Sequence, residues 1–153
     1  MANPFSEATN HLVFQSLYFM EMVYDVLEDE ADDDEDKLDH YWGVETDVDE
    51  GGPAAFAVID LRRKGNKDSS LDLTRWFVLP GCESPLPLYI NVLRDDEEEV
   101  WEDLKAEFKE ATVFEDDTRL GLEWTLAADA TRDQIRDAGR TFGRRLAKAI
   151  WGN

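Results

Sequence analysis

A chain of 153 residues, 42% hydrophobic and 11% aromatic with five tryptophans, is one domain long and can bury a real core, which excludes a disordered chain. Thirty-six acids against sixteen bases leave a net charge of −20, which opposes direct binding of nucleic acid or an anionic membrane and favours a basic protein partner. A single cysteine, Cys82, excludes an intrachain disulfide and points to a reducing cytoplasm.

The N-terminal MANPFSEATN lacks the basic start of a signal peptide. The apolar run from His11 to Leu27 is 17 residues long with Glu21 near its middle, too short and wrongly charged for a membrane span. Asn3, Pro4 and Ser6 are suited to open a helix, which is predicted to run to about Glu28. Its apolar residues, from Leu12 to Leu27, cover more than one core-facing stripe, so the helix is either buried on most sides or in contact with a second subunit. EDEADDDEDKLD, residues 28–39, carries nine acids and one lysine and reads as a solvated acidic loop or arm.

Beyond it the period shortens. HYWGVETDV, AAFAVIDLRR, LDLTRWFVL and LYINVL read as four strands separated by short turns or a Pro/Gly loop, which makes neighbours antiparallel. DDEEEVWEDLKAEFKEA reads as a helix with acids in its first turn, lysines towards its end, and Val100, Trp101, Leu104 and Phe108 as its inner stripe. RLGLEWTL is a fifth strand. Thr131 with Gln134 three residues later forms the capping-box signature of a final helix. The expected fold is therefore α+β, order α-β-β-β-β-α-β-α: a single domain with a four- to five-stranded, mostly antiparallel sheet, a long N-terminal helix and two helices in the C-terminal half. That order, with the acidity, resembles the small acidic secretion chaperones, which are dimers.

The spacings of familiar catalytic and metal sites are missing. A calcium loop beginning at Asp32 would need Gly and Glu where Lys37 and Gly43 stand, and one beginning at Asp47 finds Gly51 at its fifth position and Val58 at its twelfth. One cysteine and two histidines, His11 and His40, do not make a zinc ligand set. No phosphate-binding glycine loop and no nucleophile elbow is present. A metal-dependent nuclease would need Glu45 or Asp47 beside Asp60, with Arg62 two residues on. In so acidic a chain such pairs arise by chance, and no catalytic residue, metal or cofactor is expected.

The positive charge is concentrated at the end. Residues 131–150 hold six bases and two acids, a net +4, which leaves −24 for the rest of the chain. At about 100° per residue, Ile135, Ala138, Phe142, Leu146 and Ala149 form the expected core face of the last helix. Arg132, Arg136, Arg140, Arg144 and Lys148 step by four and wind slowly across the opposite face, with Arg145 nearer the apolar edge. This ladder reads as electrostatic balance, or as a basic docking face for an acidic partner or a second copy. Gly139 and Gly143 each cost about 1 kcal/mol in a helix relative to alanine, more tolerable if something approaches the backbone there.

The composition resembles that of phage inhibitors of restriction or CRISPR systems, which implies a non-enzymatic protein that imitates nucleic-acid phosphates in the basic cleft of a DNA- or RNA-binding partner. The acids expected to do so are Asp32, Asp33, Asp34, Glu35 and Asp36, followed by Asp95, Asp96, Glu97, Glu98 and Glu99. The alternatives are a halophile's solubility adaptation in a cytoplasmic protein of unrelated function, and a dimeric secretion or assembly chaperone. Asp exceeding Glu, 20 to 16, and Arg exceeding Lys, 10 to 6, fit a halophile or a GC-rich genome alike.

Overall fold

The computed structural model describes residues 7–31, 38–45, 54–61, 71–77, 88–92, 98–110, 112–113, 119–122 and 129–152, with side-chain surroundings for 14–31, 58–59, 100–110 and 129–152. Along the chain run α1 (Glu7–Glu30), β1 (Leu38–Glu45), β2 (Ala54–Leu61), β3 (Leu71–Phe77), β4 (Leu88–Val92), α2 (Glu98–Glu107), β5 (Thr112–Val113), β6 (Arg119–Leu122) and α3 (Arg132–Trp151).

The expected four- to five-stranded sheet is corrected in two ways. Where side-chain surroundings are described the protein is mostly helical, 82% of those residues, and only Val58 and Ile59 come from a strand. The backbone pairs six strands, in the order β1-β2-β3-β4-β6-β5 and antiparallel throughout. The additional strand, β5, is two residues long and pairs Thr112 with Gly121 and Val113 with Leu120. So short a segment carries no alternation, because a period of two needs several residues to show itself.

The described core is built between helices. Phe19, Met20, Val23 and Leu27 of α1, Val100, Trp101 and Leu104 of α2, Phe108 just after it, and Ile135, Leu146, Ala147, Ala149 and Ile150 of α3 are buried together, with Ile59 of β2 among them. Each large apolar side chain taken from water here contributes about 1.5–3 kcal/mol. The Phe142 ring on α3 links the three helices, 5.8 Å from Phe19 and 5.3 Å from Phe108. The stripe read on α2 is buried at all four positions.

The close approach at the glycines is made by α1. A Cβ on Gly139 would stand 2.7 Å from the Cβ of Met22 and 2.8 Å from the carbonyl oxygen of Phe19. One on Gly143 would stand 2.9 Å from the Cβ of Val26 and 3.1 Å from the carbonyl oxygen of Val23. The order of these contacts makes α1 and α3 parallel neighbours. It also turns the core face of α3 towards the glycines, so that Gly139 and Gly143 are buried while Ala138 and Phe142 are half-buried.

Helix α3 is closed at both ends. Thr131 Oγ1 accepts from the Gln134 backbone N–H at 3.2 Å, and Gln134 Oε1 accepts from the Thr131 N–H at 2.8 Å, the reciprocal bonds of the capping box. Gly152 ends the helix at φ 72°, a left-handed backbone that glycine adopts without strain, and its N–H donates to the Lys148 carbonyl. The acidic segment 28–39 divides: Glu28, Asp29 and Glu30 belong to α1, Leu38 and Asp39 open β1, and 32–37 lie outside the described residues.

Candidate functional site: the charged faces of the helices

The basic ladder of α3 does not act as one surface. A step of four residues turns it by about 40° each time, so it winds from the α1 side of α3 to the α2 side. At the first end, Arg132 lies over the Tyr18 ring of α1, 5.6 Å from its centroid, and its Nε donates to the Tyr18 hydroxyl at 3.4 Å. Next, Arg136 is held by two acids of its own helix, Asp133 at 3.2 Å and Asp137 at 3.3 Å. At the far end, Lys148 reaches Glu107, the last residue of α2, at 3.2 Å. Only Arg140 and Arg144, in the middle, are exposed with neither an ion pair nor a ring or hydroxyl contact among the described residues.

Arg145, which the ladder omits, is the base most firmly built in. Its Nη1 lies 2.7 Å from Glu110 Oε1 and its Nε 3.2 Å from Glu107 Oε1. Its Nη2 donates to the Glu107 carbonyl oxygen at 2.8 Å, satisfying a backbone acceptor at the C-terminus of α2. The guanidinium also lies 4.4 Å from the centre of the Phe108 ring. Its place at the edge of the apolar arc was visible in the sequence, but its partners lie 35 and 38 positions away and carry no local signal. The Glu110 carboxyl is held below its ordinary value chiefly by the Arg145 hydrogen bond. Desolvation pushes the Glu107 carboxyl up, but hydrogen bonds from Lys148 and Arg145 outweigh it and hold that group below its ordinary value too.

The acids named for partner binding fall mostly elsewhere. Asp32, Asp33, Asp34, Glu35, Asp36, Asp95, Asp96 and Glu97 lie outside the described residues, and Glu98 and Glu99 begin α2. The described acids nearest to them are Glu28, Asp29 and Glu30, all exposed in the last turn of α1, which holds no base. Acids there oppose the helix macrodipole, whose negative end is the C-terminus.

The sheet register aligns further acidic positions along the backbone. Asp39 pairs with Asp60, and Asp60 with Asp72, so three aspartates stand in line across β1, β2 and β3; Asn91 and Arg119 continue the line on β4 and β6. Glu45 pairs with Ala54, six register positions from Asp60, a separation of about 20 Å along the strand. The nuclease pairing of Glu45 with Asp60 is thereby removed, and Asp47 and Arg62 lie outside the described residues.

Among the described residues no group of three or more His, Cys, Asp or Glu could hold a metal ion, and no helix is long and apolar enough to cross a membrane. No protein-family model, no curated protein and no solved structure matches this chain.

Proposed function

We propose that this is a non-enzymatic binding protein whose carboxylates stand in for nucleic-acid phosphates and occupy the basic cleft of a DNA- or RNA-binding protein. One observation carries the reading: acids are kept where they cost the fold stability. Glu28 and Asp29 stand exposed at the C-terminal end of α1, in a last turn that holds no base. A fold selected for stability alone would place these charges elsewhere. A surface selected to meet a basic cleft needs charge density regardless of that cost, and gains fast, steered association from it. The restriction and CRISPR nucleases are partners of this kind, and the reducing cytoplasm where they work suits a chain with one cysteine.

The test is displacement of labelled duplex from a panel of such nucleases at about 0.1 M salt, where contacts are only partly screened. The reading expects stoichiometric displacement from at least one of them, weakening as salt rises. Absence of displacement across the panel sinks it.

A further inference from the structure

We draw no further inference here: the strongest candidate, the solvent face of α1 and α3 on which Phe14, Arg140 and Arg144 are exposed, carries nothing because nothing in the structure shows what covers it.

Discussion

Gly139 and Met22 mark the closest approach of α1 and α3: a Cβ at residue 139 would lie 2.7 Å from the Met22 Cβ, nearer than side-chain carbons pack. An alanine there should gain about 1 kcal/mol of helix propensity. Against that, it must separate two helices at a point where the Phe19 backbone is as close as the side chain, and such overpacking costs about 1–3 kcal/mol. G139A is therefore expected to be destabilised by about 1 kcal/mol in urea melts, and G143A, with its more distant contacts, by less. A G139A protein more stable than wild type would show that the helices do not meet here.

The Arg145 cluster ties the end of α2 to α3. R145M should lose about 1 kcal/mol near neutral pH, a modest amount because the guanidinium is partly exposed. Glu107 and Glu110 have lowered carboxyl values in the folded chain, so their contribution is present above the ordinary carboxylate range and disappears as pH falls through the lowered values. The stability gap between wild type and R145M should narrow on acidification across that range. A gap constant with pH would exclude the pairing.

Removing acids from costly places should stabilise the fold. E28Q and D29N each relieve an unfavourable charge at the α1 terminus and should gain about 0.3–1 kcal/mol in dilute buffer, less at high salt. The same variants should displace duplex less well from the partner nuclease. Thermal melts that fall instead of rising would mean that the acids serve the fold.

Ser16 is fully buried on α1, and its Oγ has no hydrogen-bond partner among the described residues. A hydroxyl desolvated without compensation costs about 1–3 kcal/mol, so S16A should be neutral or stabilised by about 1 kcal/mol in denaturant. A clear loss of stability would reveal an acceptor for that hydroxyl.

The helices were legible because their signals are local. The stripe Val100, Trp101, Leu104 and Phe108 repeats at the helical period, and Thr131 and Gln134 sit three apart. The strand count was not legible, because β5 consists of Thr112 and Val113 alone. The alignment of Asp39, Asp60 and Asp72 was equally hidden: it is a matter of backbone register, which depends on how the intervening turns are closed. The arginine ladder was plain in the sequence, yet its division was not, since which helix flanks each edge of α3 is a property of topology. For the same reason Arg145 showed only its place near the apolar edge and not its partners.

The central claim is that the acids serve a partner and not a salt-rich solvent, and a thermal melt followed by circular dichroism, from about 10 mM to about 1 M KCl, tests it most directly. The account predicts a cooperative transition already in the most dilute buffer, with a modest rise in melting temperature as salt screens Glu28 and Asp29. A chain unfolded in dilute buffer that folds only near molar KCl would contradict it, and would make the charge of −20 an adaptation to salt.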